Sequence, residues 1–280
     1  MLQFKTPELK YLSYRQGQIA YRETGTGQTL FFLHGMNGNS KSWENLFYSL
    51  SSSFRVVAWD APSFGGSDVF GDNIEEYKNA AKALIETLKL KKIILIGHSM
   101  GGLIASQLAY DNDVSVSGLI LSSTHLGFGC KKGEPLMERY ANRLKTFSTK
   151  LSDIDYAMER AKRNTPEGTS ETVIKFLANV ALDIRKESIR DGGRMSQEAD
   201  NTNICKDLKV PVLILSGGKD TVISTEMHAS LIAALPRAHK VVFPKAGHAS
   251  FAEYPDQFNY QVTEFAKKVW NLNETVLNKL

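Results

Sequence analysis

The 280-residue chain is long enough for one large domain, or for one domain with a sizeable insertion. Its 42% hydrophobic and 23% charged residues are typical of a globular protein that buries a core. The formal net charge is only +4, and no Lys/Arg block alternates with aromatic residues, which argues against nucleic-acid binding. No run of about 18 apolar residues occurs, so we expect no membrane span.

The N-terminal residues and the two cysteines both bear on the cellular compartment of the protein. The first residues, MLQFKTPELK, lack the apolar segment of a signal peptide, so we expect a cytoplasmic protein. Cys130 and Cys205 are far apart and fit no metal or redox spacing, which predicts two reduced thiols.

Eight strands are predicted, beginning with a hairpin. The stretch KYLSYRQGQIAYRET contains two short alternating strands around a glycine turn. Six continuous apolar runs follow, each ending at a glycine, a proline or a polar residue. Runs of this kind are typical of strands that are buried on both faces of a parallel sheet. In chain order they are TLFFLHG, FRVVAWDAP, KKIILIGHS, VSGLILSST, VPVLILSGG and HKVVFPKAG.

Helical patterns separate these runs. Apolar residues recur at three-to-four spacing in residues 73–90, 225–235 and 255–270, and residues 101–110 are small and apolar. Alternating strands and helices predict an α/β fold with right-handed crossovers.

Residues 126–205 interrupt this alternation. They contain no buried-strand run but three polar, helix-prone stretches, LMERYANRLKTF, DIDYAMERAKR and SETVIKFLANVALDIRKESI. We therefore predict a helical insertion (residues 126–205) within a core formed by residues 1–125 and 206–280. A separate small domain is the alternative, although no linker flanks the segment. Its mixed Lys, Arg, Glu and Asp residues predict a solvated outer face.

Polar residues with catalytic potential stand where the predicted strands end. Ligands of open α/β sheets bind beyond the carboxyl ends of the strands, so these positions should meet in space. They are His34-Gly35-Met36, Asp60, Ser99, Asp220 and His248.

Ser99 lies in IGHSMGG, directly between a predicted strand and a predicted helix. A turn this tight forces the serine into strained backbone angles and requires small residues at Gly97 and Gly101. The serine hydroxyl would then point into the pocket. The amide of Met100, at the helix N-terminus, would face a forming oxyanion.

A serine hydroxyl needs a base, and the base needs an orienting acid. His248 ends the last strand run and Asp220 ends the preceding one. The chain order Ser99, Asp220, His248 is the order found in one class of serine hydrolases. We therefore predict that these three residues are catalytic.

The motifs LHGMNGNSKSW, DAPSFGGSD, GHSMGG, GGKDTVIS and AGHASF together resemble those of the α/β-hydrolase superfamily. The resemblance covers nearly the whole chain outside the helical insertion. It implies an eight-stranded, mostly parallel sheet with helices on both faces and a helical cap inserted after strand six. It also implies an oxyanion hole formed by the backbone amides of Met36 and Met100. The sequence departs from the family at Ser63, where a glycine is usual.

The remaining histidines have other expected roles. We expect His34 to brace the oxyanion loop and His98 to point away from the nucleophile. His228 and His239 are expected to be structural or exposed. Candidate substrate contacts, which could equally form the core of the insertion, are His125, Phe128, Met137, Tyr140, Phe147 and Phe176.

We therefore predict a serine hydrolase that cleaves a small-molecule ester or lactone as a monomer or homodimer. No dinucleotide-binding or P-loop motif and no His-Glu-x-x-His occurs, so we expect no cofactor and no metal. The main alternative is hydrolysis of a carbon–carbon bond or an enol-lactone. Relatives with that activity often carry Asn before the nucleophile, whereas His98 is more typical of esterases. The alternative from another class is a slow-turnover ligand receptor that retains a triad.

Overall fold

An eight-stranded sheet organises the chain. The computed structural model describes residues 6–150 and 152–271. The strands are β1 (Lys10–Tyr14), β2 (Gly17–Thr24), β3 (Thr29–Leu33), β4 (Arg55–Trp59), β5 (Ile93–His98), β6 (Val116–Ser122), β7 (Val212–Gly217) and β8 (His239–Phe243). The predicted strands are therefore confirmed.

The sheet order is β1-β2-β4-β3-β5-β6-β7-β8. The β1–β2 and β2–β4 pairs are antiparallel, and the pairs from β3–β4 through β7–β8 are parallel. β5 lies in the middle, between β3 and β6. The carboxyl ends of the parallel strands therefore meet at one edge, with the end of β5 at its centre.

Helices surround the sheet and fill the segment between β6 and β7. The core helices are a short 3-10 helix (Ser40–Trp43), α1 (Glu44–Leu50), α2 (Ile74–Thr87) and α3 (Met100–Tyr110). The helices between β6 and β7 are α4 (Glu138–Ser148), α5 (Asp153–Arg163), α6 (Glu171–Ala181), α7 (Lys186–Glu198) and α8 (Thr202–Asp207). Then follow α9 (Thr225–Ala234), α10 (Ser250–Glu253) and α11 (Pro255–Trp270). No helix in residues 6–150 and 152–271 is long and apolar enough to span a bilayer.

Both faces of the sheet are buried, because successive side chains of a strand point to opposite sides. Phe31 and Leu33 of β3 belong to a cluster that includes residues of α2, α3 and α9. Leu30 and Phe32 of the same strand belong to a second cluster with α1 and α11. This two-sided burial explains why the strand runs are continuously apolar rather than alternating.

The helical insertion has a small core of its own. Buried residues of α5, α6 and α7, among them Tyr156, Ile174 and Ile189, form a third apolar cluster. The end of the insertion is tied to the core instead, since Asn201 Nδ2 donates to the carbonyl of Leu103 at 2.9 Å. The expected boundary after Cys205 falls inside α8, which packs against α3 and α9. The division into core and insertion stays a prediction.

The two-sided core can be tested one face at a time. We expect Phe31→Ala and Phe32→Ala each to lower the free energy of unfolding by about 3–5 kcal/mol, because each removes a fully buried ring. Denaturant unfolding followed by fluorescence measures both. Val242→Ala in β8 is the control, because that side chain is 53% exposed and should cost less than about 1 kcal/mol. A Phe variant as stable as the control would contradict close packing on its face.

Candidate active site

The junction of β5 and α3 is a turn with no intervening loop. β5 ends at His98, α3 begins at Met100, and Ser99 between them has φ 50° and ψ −119°. This is a left-handed backbone that side-chain-bearing residues rarely adopt, and it costs about 1–3 kcal/mol. The amide of Ser99 donates to the carbonyl of Ser122 on β6 at 2.9 Å, which anchors the strained residue to the sheet.

The glycines around Ser99 are required by close backbone packing. A Cβ atom at Gly97 would lie 2.6 Å from the Cα of Gly102. A Cβ atom at Gly101 would lie 2.7 Å from the carbonyl oxygen of His34. Both distances are shorter than real Cβ contacts allow, so these positions admit no side chain unless the turn opens.

The peptide unit between Ser99 and Met100 is held by its carbonyl end. The carbonyl oxygen of Ser99 accepts from Gly102 N at 2.9 Å and from Thr124 Oγ1 at 2.6 Å. The N–H of Met100 points the opposite way, because the peptide is trans. It donates to no acceptor within the described residues. It is therefore a fixed and unused donor at a helix N-terminus, where an anion is favoured.

The Gly35–Met36 peptide is held in the same manner. Its carbonyl oxygen accepts from Gly38 N at 2.9 Å and lies 2.8 Å from His34 Nδ1. His34 Nε2 accepts from the amide of Ala61 at 2.9 Å, so Nδ1 carries the proton and donates. Burial lowers the pKa of His34, which keeps its ring neutral.

His34 thus braces this loop as expected, and the Met36 N–H is left without an acceptor in residues 6–150 and 152–271. The loop also lies against the turn that holds the serine. A Cβ atom at Gly35 would be 3.1 Å from Ser99 Cβ. Two unused amides therefore flank the serine.

His248 and Asp220 form a buried pair. His248 Nδ1 lies 2.9 Å from Asp220 Oδ2, and both side chains are less than a tenth exposed. Burial by itself would raise the pKa of Asp220. The hydrogen bond and charge of His248 and the amides of Ile223 and Val222 outweigh burial, and the pKa is lowered. An ionised Asp220 holds the proton on Nδ1, which leaves Nε2 of His248 as the basic nitrogen.

The loop that carries His248 is held by neighbours on both sides. Glu253 accepts from the amides of Gly247 at 3.0 Å and Ala249 at 3.2 Å. The amide of His248 itself donates to the carbonyl of Asn164 at 2.8 Å, in the loop between α5 and α6. A residue of the helical insertion therefore fixes part of the backbone at the histidine.

Two other histidines lie beside this pair. His98 does not turn away from the site, since its ring centroid is 4.7 Å from that of His248. Burial and the charge of His248 lower the pKa of His98 well below its usual value, so it remains neutral. His125 Nδ1 accepts from Gly127 N at 3.0 Å. Burial, then the charge of Arg139, lowers the pKa of His125 to about 4.

The last two histidines lie on α9 and on β8. His228 Nε2 lies 2.7 Å from the hydroxyl of Ser216, and His239 is exposed on β8.

The loop after β4 is structural. Asp60 accepts from the amides of Ser40 at 2.7 Å and Gly66 at 2.8 Å, so its carboxylate pins two loops together. Ser63, where the family usually has glycine, has φ 70°. Its hydroxyl donates to Asp191 Oδ2 on α7 at 2.8 Å, a bond that glycine could not make. The departure therefore ties this loop to the helical insertion.

One cavity of about 510 Å³ brings the predicted residues together. Ser99, His248, Met36 and Met100 all line it, and Asp220 lies behind His248. The cavity contains none of the three-residue groups of His, Cys, Asp or Glu that could hold a metal, and neither does the rest of the described chain.

The six candidate substrate contacts divide into two groups. His125 and Tyr140 line the cavity. The other four pack among apolar neighbours, Phe128 on the His125 ring and Phe147 on the Tyr156 ring. Met137 and Phe176 pack against the two sheet-face clusters. A substrate-binding role for these four stays a prediction without support from the cavity lining.

The cavity wall has a charge that the sequence analysis missed. Five cationic residues of the helical insertion line it: Arg139, Arg143, Arg160, Lys162 and Arg163. Among the described lining residues there is no Asp or Glu. Arg139, Lys162 and Arg163 are exposed as a solvated face requires, but Arg143 and Arg160 are half-buried, and all five line the cavity as well. The i, i+4 spacing of Arg139 and Arg143, which puts both on one helix face, was the available signal.

Comparison with known proteins shows the family to which the chain belongs. Residues 28–255 match the family described as alpha/beta hydrolase fold. A pimeloyl-[acyl-carrier protein] methyl ester esterase from Pectobacterium atrosepticum is 30% identical over 89% of this chain and 98% of its own length.

Solved structures agree on the fold. A thermophilic esterase from Thermogutta terrifontis, with malate bound, superposes with a TM-score of 0.80 at 25% identity, covering 94% of this chain and 99% of that one. An enol-lactonase from Burkholderia xenovorans LB400 superposes with a TM-score of 0.81 at 23% identity, covering 92% and 100%. The chain belongs to the α/β-hydrolase family and is a hydrolase that acts on ester bonds.

Proposed function

We propose that this protein cleaves carboxylic esters through a Ser99–His248–Asp220 triad and an acyl-enzyme. The observation that carries the proposal is the single cavity in which Ser99, the His248–Asp220 pair and two unused amides meet. His248 Nε2 takes the proton of Ser99 as its oxygen attacks the ester carbonyl. The amides of Met36 and Met100 stabilise the oxyanion of the tetrahedral intermediate.

In the steps that follow, His248 acts first as an acid and then again as a base. His248 gives its proton to the departing alcohol, and the acyl group stays on Ser99. His248 then takes a proton from a water molecule, which attacks the acyl carbonyl. The resulting oxyanion again lies at the two amides. As it collapses, the bond from the acyl carbon to Ser99 Oγ breaks, His248 returns its proton to that oxygen, and the carboxylic acid leaves. We further propose that the enzyme is cytoplasmic and works as a monomer or homodimer.

Ester cleavage is favoured over the alternatives by the relatives. The relative that is 30% identical is named for a methyl ester. The enol-lactonase, at 23% identity, shares the fold alone and supports no particular substrate. Lactones and carbon–carbon bonds therefore remain the second candidates. The receptor alternative has no support, since the relatives bear enzyme names.

We also propose that the substrate carries negative charge. Five cations and no carboxylate line the described cavity, and Arg139 and Lys162 have no carboxylate within 4.0 Å among the described residues. Uncompensated charge of one sign attracts ligands of the other. An acyl group that bears a second carboxylate, or one attached to an acyl-carrier protein as the relative's name specifies, fits this wall.

We expect Ser99→Ala to lower kcat on p-nitrophenyl butyrate by at least ~10⁴-fold while the protein stays folded, because no other nucleophile replaces the serine. Steady-state hydrolysis and circular dichroism measure the two properties. Ser106→Ala is a matched control, since that serine lies on α3 outside the cavity lining and its hydroxyl donates to Gly102 O at 2.9 Å. A folded Ser99→Ala enzyme with the wild-type rate would disprove the proposal. So would His248→Ala retaining activity that His125→Ala loses.

The charge preference is tested with two esters of equal length. We expect monomethyl pimelate to have a kcat/KM at least ~10-fold above that of methyl heptanoate at low salt, because the cavity wall stabilises the free carboxylate. The preference should shrink as salt rises, since screening weakens the attraction. The double variant Arg139→Gln/Lys162→Gln should lose most of it, and Lys145→Gln, exposed on α4, should not. Equal kcat/KM values for both esters at every salt concentration would refute the charge preference.

A further inference from the structure

Arg143 connects the helical insertion to the loop that presents the Met36 amide. It lies on α4, and its Nη2 donates to the carbonyl of Met36 at 3.4 Å and to Asn37 Oδ1. Its Nε donates to the hydroxyl of Tyr156 on α5 at 3.0 Å. One guanidinium group thus joins two helices of the insertion to a loop of the core.

The charge of Arg143 is not neutralised by a neighbour. No carboxylate lies within 4.0 Å of it in residues 6–150 and 152–271, although Arg160 and Arg163 nearby both pair with Glu159. Burial lowers the pKa of Arg143, yet a guanidinium group stays protonated in proteins. A partly buried cation without a counter-ion lowers stability, so we looked for a role that its contacts could serve.

The loop needs support from the insertion as well as from the core. Gly38 and His34 hold the carbonyl of Gly35, which belongs to the same peptide as the Met36 N–H. Arg143 holds the next peptide through the carbonyl of Met36. With both peptides held, rotation about the backbone bonds of Met36 is restrained, which favours one direction of its N–H. An oxyanion donor must be aimed to within a few tenths of an ångström to be effective.

We propose that Arg143 is a positioning residue that holds the Met36 amide in its oxyanion-binding orientation, so that the helical insertion completes the active site. This inference rests on the proposed function. It gives α4 a role in the chemical step that is separate from covering the cavity or attracting charged substrates. The Asn164 carbonyl, which accepts from His248 N at 2.8 Å, shows that the insertion contacts the base loop too.

The test uses a neutral ester, so that substrate charge plays no part. On p-nitrophenyl butyrate we expect Arg143→Met to lower kcat by ~10- to 100-fold with KM within about threefold, because a loosened donor costs less than the ~10²–10³ lost with a missing one. Affinity for a butyl trifluoromethyl ketone, which forms a tetrahedral adduct with the serine, should fall by the same factor as kcat/KM. Arg143→Lys should lose less kcat than Arg143→Met but still more than twofold, since it keeps the charge but cannot hold both oxygens of the loop.

A double-mutant cycle separates positioning from general destabilisation. Asn37→Ala removes the other end of the contact and should lower kcat as well. The double variant Arg143→Met/Asn37→Ala should lose little more kcat than either single variant, because both substitutions remove the same contact. Lys145→Gln, which removes an exposed charge from the same helix, is the control and should leave kcat unchanged. Thermal unfolding checks each variant, and Arg143→Lys serves if Arg143→Met fails to fold.

The inference is overturned if folded Arg143→Met, or Arg143→Lys in its place, keeps kcat on the neutral ester within twofold of wild type. It is also overturned if the loss appears in KM alone, or if the effects of Arg143→Met and Asn37→Ala simply add. These outcomes are distinct from a failure of the proposed function, because that failure appears as activity in Ser99→Ala.

Discussion

Ser99 holds a left-handed backbone conformation, and the candidate site is built on that strain. With φ 50° the chain passes from β5 to α3 without a loop, which puts the serine in the cavity and the first turn of α3 directly behind it. Such strain persists only where the surroundings enforce it. Here β6 binds the amide of Ser99, Thr124 binds its carbonyl, and Gly97 and Gly101 leave room for the crossing backbone.

Two peptide groups, Gly35–Met36 and Ser99–Met100, determine where the site can stabilise negative charge. Both carbonyl groups, of Gly35 and Ser99, are satisfied within the protein, whereas the amides of Met36 and Met100 are left for a ligand. Burial keeps His34 and His98 neutral, so neither competes with His248 for a proton. The ionised Asp220 behind His248 is the carboxylate that compensates positive charge on the ring.

The helical insertion adds positive charge and mechanical support to this frame. Five of its cations line the cavity, and it contacts the loops that carry Met36 and His248, through Arg143 and through Asn164. The two proposals therefore assign substrate choice and the geometry of the chemical step to one structural unit. A substitution on α4 can change either property, and the neutral and anionic esters separate the two effects.

The sequence by itself determined the strands, the turn at Ser99 and the chain order of Ser99, Asp220 and His248, because continuous apolar runs and glycine spacing are local signals. Only the tertiary structure decided which residues line the cavity. Phe147 and Phe176 are as apolar as any pocket residue, yet they pack elsewhere, while arginines of the insertion line the cavity. The place of His98 beside His248 was also beyond the sequence. The direction of a helix face depends on how helices far apart in the chain pack together, and a local pattern carries no information about that packing.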